Sequence, residues 1–167
     1  GGLPDGVVNL VVGPTGATYA PLMADKRVRK VSLTGSTRVG QQMIRDAADT
    51  LKKVSMELGG NAPVIVYDDA DLEAAVQGCI ASKFRNAGQT CVCTNRIYVQ
   101  AGIHDAFAAR LAQAVADLHV GPGDQAGSDI GPLIGPAALA KVEHHIADAC
   151  AKGAQVLTGG SRIAGTF

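Results

Sequence analysis

Apolar positions along this chain fall in short β-branched runs that alternate with longer stretches of three-to-four spacing, the rhythm of strands joined by helices. "VVNLVVG" (Val7–Gly13) predicts a strand, and "TGATYAPLMAD" a helix or helical turn after it. "VRKVSLT" (Val28–Thr34) predicts the next strand. A helix follows over "GSTRVGQQMIRDAADTL", with Val39, Met43, Ala47 and Leu51 repeating every fourth position on its apolar face. "KKVSMEL" (Lys52–Leu58) and "PVIVY" (Pro63–Tyr67) read as two more strands.

The later part keeps the same grammar. "DDADLEAAVQGCIASKF" opens on aspartate caps and carries Leu72, Val76, Cys79, Ile80, Lys83 and Phe84 on its helical stripe, so Cys79 belongs to a core face. "RIYVQ" predicts a strand, and "HDAFAARLAQAVADLH" an amphipathic helix with Phe107, Leu111, Val115 and Leu118 on one side. A Gly- and Pro-rich loop, "HVGPGDQAGSDIGPLIG", leads to Pro136 in the first turn of a helix bearing Leu139, Val142, Ile146 and Cys150. Gly153 ends that helix before a strand predicted at "QVLTGG". Strands alternating with helices in this way predict an α/β fold built on parallel pairing.

Composition narrows the class. With 167 residues, 47% of them apolar, the chain is long enough for one sizeable core. Lys plus Arg and Asp plus Glu both number 15, so no net field draws the protein to nucleic acid or to an acidic membrane surface. The longest apolar runs fall far short of a membrane span, and the N-terminus lacks a signal-peptide pattern. Four cysteines, at 79, 91, 93 and 150, lack the dense spacing of a small secreted scaffold, and reduced thiols in a cytoplasm are expected.

Three motifs offer chemistry. "LTGSTRVG" puts Gly35 and Ser36 between a strand and a helix N-terminus, where free amides and the helix dipole attract an anion such as a pyrophosphate. It is not the G-x-G-x-x-G fingerprint, and a serine there also serves as a simple N-cap. "MELGGN" sets Glu57 at the carboxyl end of a strand, where functional groups collect in open α/β sheets, although a solvated glutamate before a turn fits equally. "GQTC" holds Cys91 at an element boundary near Arg85, a setting that suits a nucleophilic thiolate, while inert packing is the commoner fate of a free cysteine. Cys91 and Cys93 form a C-x-C pair with no matching histidine spacing at 104, 119, 144 or 145, which disfavours metal. A disulfide across one residue would be strained. His144 and His145 are neighbours on a helix, point about 100° apart and cannot share one ligand face.

At "SLTGSTRVG", "KKVSMELGGNAPVIVYDDADLEAAV" and "SKFRNAGQTCVCTNRIYVQ" the chain resembles the NAD(P)-dependent aldehyde dehydrogenase superfamily. Glu-Leu-Gly-Gly followed by the cysteine 34 positions after the glutamate is specific to it. "ELGGNAP", "KFRNAGQTCVCTNR" and "IGPLI" look most like the succinate-semialdehyde dehydrogenases. The resemblance implies part of a Rossmann-like parallel sheet in residues 1–58, the end of a cofactor-binding domain, followed in 59–167 by the start of the α/β thiol-bearing catalytic domain. It implies Cys91 as nucleophile, Glu57 as general base, Gly35 and Ser36 at the pyrophosphate of NAD or NADP, and a backbone contact from Leu58 to the nicotinamide. Arg85 matches an arginine that holds a substrate's distal carboxylate, and Cys93 a second cysteine that some members oxidise against the nucleophile.

Family enzymes are much longer, so the chain is expected to be an internal piece of one, inactive by itself, whose parent oxidises a small aldehyde as a homodimer or homotetramer. The oxyanion asparagine, the unit that chooses between NAD and NADP and the glutamate at the nicotinamide ribose would then lie outside this stretch. A parent acting on another semialdehyde, or transferring the acyl group to coenzyme A, is the alternative expectation. One departure is internal: Arg38 stands where many relatives carry glutamate, which puts cofactor preference in question.

Overall fold

Parallel pairing of two strands around an intervening helix organises each half of the chain. The computed structural model describes residues 2–163 and divides into two compact units, Gly1–Gly59 and Gly60–Phe167.

The first unit holds α1 (Thr15–Ala24), β1 (Lys30–Thr34), α2 (Thr37–Ala48) and β2 (Lys53–Glu57). β1 and β2 pair in parallel from Lys30 opposite Lys53 to Thr34 opposite Glu57. The pleat sends Val31 and Leu33 of β1 to one face, where they and Met56 of β2 pack on buried Met23, Met43 and Ala47. Tyr19 joins this cluster through its ring and donates its hydroxyl to Asp46 Oδ2 at 2.6 Å, which together with burial pushes its pKa up to about 12. Lys52 is buried; its ammonium donates to the carbonyls of Asp25 (2.7 Å) and Val28 (3.0 Å), fixing the turn that leads into β1. Beside it the Arg27 guanidinium holds the Asp25 carboxyl down at about 2.

The second unit repeats the plan with β3 (Ala62–Val66), α3 (Leu72–Lys83) and β4 (Thr94–Val99), again parallel, with a register shift between Ala62 and Pro63. Asp71 caps α3 by accepting from the Ala74 amide at 2.9 Å. α4 (His104–Ala116) packs on α3, burying Phe107 against Val66, Val76 and Cys79. Burial pushes the Cys79 thiol above its ordinary pKa, as expected of a cysteine acting as a small core hydrophobe. α5 (Pro136–Ala151) starts at proline and is followed by Gly153 at φ 94°, the left-handed stop that glycine accepts without strain.

The α/β prediction holds, and four local expectations do not. Val7–Gly13 forms no strand: Val8, Leu10 and Val12 are 75–90% exposed, because no described strand offers the ladder that β-propensity alone cannot supply. The strand expected at "QVLTGG" is likewise irregular, with Gly159 and Gly160 at positive φ. Leu51 lies beyond the end of α2 at φ 53° and is exposed, so that helix face stops at Ala47. Cys150 and Val142 of α5 are exposed, and among the described residues α5 buries none fully, Leu139 and Ile146 of its stripe being only partly covered. His144 and His145 are both exposed, with ring centroids 6.1 Å apart.

Candidate active site

In the first unit the chemistry-bearing residues gather at the carboxyl end of the parallel pair. β1 runs out at Thr34, and Gly35 and Ser36 turn the chain into α2. Ser36 is the N-cap, its hydroxyl accepting from the Val39 amide at 3.3 Å. The Gly35 amide is already committed, donating to the Glu57 carbonyl at 3.0 Å and extending the ladder by one rung. What remains for an anion is the Thr37 and Arg38 amides, which have no acceptor within the helix, in a first turn that carries no acidic side chain. Those groups fit a cofactor phosphate. Arg38 is exposed and adds a positive charge to the same turn.

Glu57 is the last residue of β2; its carboxylate is exposed and has no hydrogen bond or ion pair among the described residues. Leu58 follows with its side chain against α2. A Cβ placed on Gly40 would come within 2.7 Å of Leu58 Cδ2, so the glycine is what lets Leu58 lie on the helix. This close approach seats Leu58 between Glu57 and Gly59.

In the second unit the site lies at the opposite end of its strands, before β4 begins. α3 ends at Lys83, and a 3-10 turn over Arg85–Gly88 breaks the helical direction. Asn86, Ala87 and Gly88 are all left-handed, at φ 54°, 54° and 72°. Such a conformation is costly for alanine and persists only where neighbours fix it. Here Asn86 Nδ2 donates to the Gln89 carbonyl (3.1 Å), Gln89 Nε2 returns to the Asn86 carbonyl (3.2 Å), and Gln89 Oε1 accepts the Ile134 amide (2.9 Å). The turn delivers Cys91 to an exposed position with a free thiol. Its carbonyl lies 3.5 Å from where a Cβ on Gly60 would stand.

Cys93 differs in burial and in its partners. It is 1% exposed, and its sulfur lies 3.4 Å from Lys83 Nζ, 3.2 Å from the Gly88 carbonyl and 3.3 Å from Asn95 Oδ1. Both cysteines of the pair are free. Arg85 is exposed, six residues before Cys91, and its guanidinium has no hydrogen bond or ion pair among the described residues. Among those residues no group of three His, Cys, Asp or Glu could hold a metal ion.

Lys83 and Asn95 are the residues the motif reading missed. Asn95 Oδ1 accepts from Lys83 Nζ at 2.7 Å, while its Nδ2 donates to Asn61 Oδ1 at 2.9 Å and to the Gly60 carbonyl at 3.4 Å. One signal was available: a lysine ends the apolar stripe Leu72, Val76, Cys79 of α3, and a cation on a core face needs a polar partner.

An apolar cavity of about 340 Å³ opens elsewhere in this unit, lined by β4 (Ile97, Val99), α4 (Phe107, Leu111) and the irregular Val156 and Leu157. None of Lys83, Arg85, Cys91, Cys93 and Asn95 lines it.

Comparison with known proteins accounts for these motifs together. A profile of the aldehyde dehydrogenase family matches residues 1–167. The chain is 59% identical over 159 residues to the NADP-dependent succinate-semialdehyde dehydrogenase of Escherichia coli, covering 95% of this chain and 33% of that protein. It is 56% identical over 166 residues to a glutarate-semialdehyde dehydrogenase of Pseudomonas putida, covering 99% and 35%. The crystal structure of succinate-semialdehyde dehydrogenase from Burkholderia pseudomallei superposes with a TM-score of 0.96 at 55% identity, over 99% of this chain and 35% of that one. The chain thus spans about a third of the length of the curated relatives it matches. On a profile match along its whole length and relatives at more than half identity, the chain belongs to the aldehyde dehydrogenase family.

Proposed function

We propose that the protein containing this chain oxidises a small aldehyde bearing a distal carboxylate, succinate semialdehyde foremost, to the carboxylic acid with NAD or NADP. The observation that carries this reading is the strained left-handed turn that sets the free Cys91 thiol in the open, while Cys79 and Cys93 are packed away. Residues 1–58 would belong to the cofactor domain and 59–167 to the thiol-bearing domain.

On this reading the Cys91 thiolate attacks the aldehyde carbon, and the new oxyanion takes the Cys91 amide as one hydrogen-bond donor. The Ser36 turn with the Thr37 and Arg38 amides would hold the phosphates of NAD or NADP, whose nicotinamide would supply the hydride acceptor. Loss of hydride leaves a thioester on Cys91. Glu57, whose carboxylate is unpaired, takes a proton from water so that the hydroxide cleaves that thioester and releases the acid. Arg85, equally unpaired, offers a planar fork for the substrate's far carboxylate. Semialdehydes of four and five carbons are named for the two relatives above, and both carry such a carboxylate.

The whole enzyme would be a homodimer or homotetramer of the cytoplasm, in keeping with four unpaired cysteines. No helix among the described residues is long and apolar enough to cross a membrane. The test is turnover of succinate semialdehyde, glutarate semialdehyde and a neutral aldehyde of similar length by the full-length protein. Cys91→Ala should lower turnover of all three by more than about a thousandfold; activity that survives this change would rule out Cys91 as nucleophile.

A further inference from the structure

We infer that Lys83 is the positioning residue of the nucleophile's turn: its ammonium clamps the segment before Cys91 to the strand after it. The inference rests on the reading of Cys91 as the nucleophile.

Lys83 closes α3, and the segment on both sides of Cys91 rests against it. On the near side, a Cβ on Gly88 would stand 3.1 Å from the Lys83 carbonyl and 3.4 Å from its Nζ, so the lysine stem lies directly under the last residue of the left-handed turn. On the far side, Nζ donates to Cys93 Sγ at 3.4 Å and to Asn95 Oδ1 at 2.7 Å. Asn95 then carries the hold to Asn61 and Gly60, whose position meets the Cys91 carbonyl. A lysine serving only to cap its helix would bond the last carbonyls of α3. This one reaches past them to Cys93, just before β4, and to Asn95 within it.

Charge gives a second reason for a lysine here. The turn follows the carboxyl end of a helix, which carries roughly half a negative charge and disfavours a thiolate in its neighbourhood. Lys83 is the basic residue of that last turn of α3, half-buried and held in place by its two partners. Arg85 is exposed with no partner among the described residues, so it does not hold the turn. Lys83 therefore sets the geometry of the segment that carries Cys91 and brings a held cation to the end of α3.

The experiment compares Cys91 with Cys150, exposed on α5, as an internal reference. In the full-length protein, iodoacetamide alkylation rates of both thiols are read by peptide mass spectrometry, alongside kcat and KM for succinate semialdehyde. Lys83→Met keeps the stem under Gly88 and removes the ammonium; it should lower the Cys91 to Cys150 rate ratio and kcat by about tenfold or more. KM should stay within about twofold, since the loss concerns the reacting thiol and not substrate binding. Lys83→Gln, which keeps a donor for Asn95, should recover part of both losses. Asn95→Leu, which leaves Lys83 in place without its acceptor, should move the ratio in the same direction and keeps the test open if Lys83→Met does not fold. A lowered melting temperature with an unchanged rate ratio and kcat would overturn the inference, as would wild-type behaviour throughout. Turnover that survives Cys91→Ala would instead break the nucleophile reading, while the alkylation ratio still reports on the clamp.

Discussion

The two units solve the same problem from opposite ends. Each is a parallel pair of strands around a helix, yet the first places its candidate residues after β1 and β2, and the second places them before β4. At the carboxyl end of the first pair, the amino terminus of α2 supplies free amides and a favourable dipole, so an anion needs little help from side chains. In the second unit the chain arrives at Cys91 from the carboxyl end of α3, where the dipole has the wrong sign for a thiolate. Lys83, held by Cys93 and Asn95, is the partnered cation at that end of α3. The backbone shows the same contrast. Ser36 enters its helix at φ −76°, an ordinary cap, whereas the route to Cys91 needs three left-handed residues in succession. The candidate anion turn is built from relaxed helix geometry; the candidate thiol follows a strained turn held by Asn86 and Gln89.

This division of labour can be broken experimentally, beginning with the largest effect. Glu57→Gln in the full-length protein should leave the first turnover of cofactor intact and slow steady-state release of acid by about a hundredfold or more. A stopped-flow burst followed by a slow phase is the expected trace; loss of the burst itself would mean that Glu57 acts before the thioester forms. Arg85→Ala comes next. Losing a charge-assisted pair should raise KM for succinate semialdehyde by about tenfold or more and leave a neutral aldehyde of similar length nearly unchanged. Equal effects on both substrates would remove Arg85 from carboxylate recognition. Ser36→Ala is the mildest, costing about 1 kcal/mol of stability through the lost cap, read as a shift in denaturant midpoint. Cofactor affinity should fall with it, measured by titration of the apo enzyme; unchanged affinity would reduce Ser36 to capping alone.

Where local pattern and packing agreed, the elements could be read directly from the chain. α2, α3, α4, β1 and β2 fall within the predicted stretches, and β3 and β4 overlap theirs while starting one and two residues earlier, because apolar spacing matches the face each helix buries, as with Met43 and Ala47 or Val76 and Cys79. Val7–Gly13 and "QVLTGG" have the same local character and no ladder, since a strand exists only when another backbone answers its amides and carbonyls. Cys91, Glu57, Ser36 and Arg85 were nominated by motif, not by periodicity, because residues placed for chemistry leave no repeating pattern.

What the sequence determined by itself is therefore the succession of α2, α3, α4 and β1 to β4, the core face of α3, and which motif residues to nominate. These depend on spacing within a single element. The tertiary structure alone decided that Cys91 is open while Cys93 is enclosed, although one residue separates them, and that the Gly35 amide is already spent on Glu57. It alone showed Lys83 reaching ten and twelve residues along the chain to Cys93 and Asn95. The reason is physical: burial, hydrogen-bond partners and local field belong to what a turn is packed against, and that is set by contacts between elements that no local pattern records.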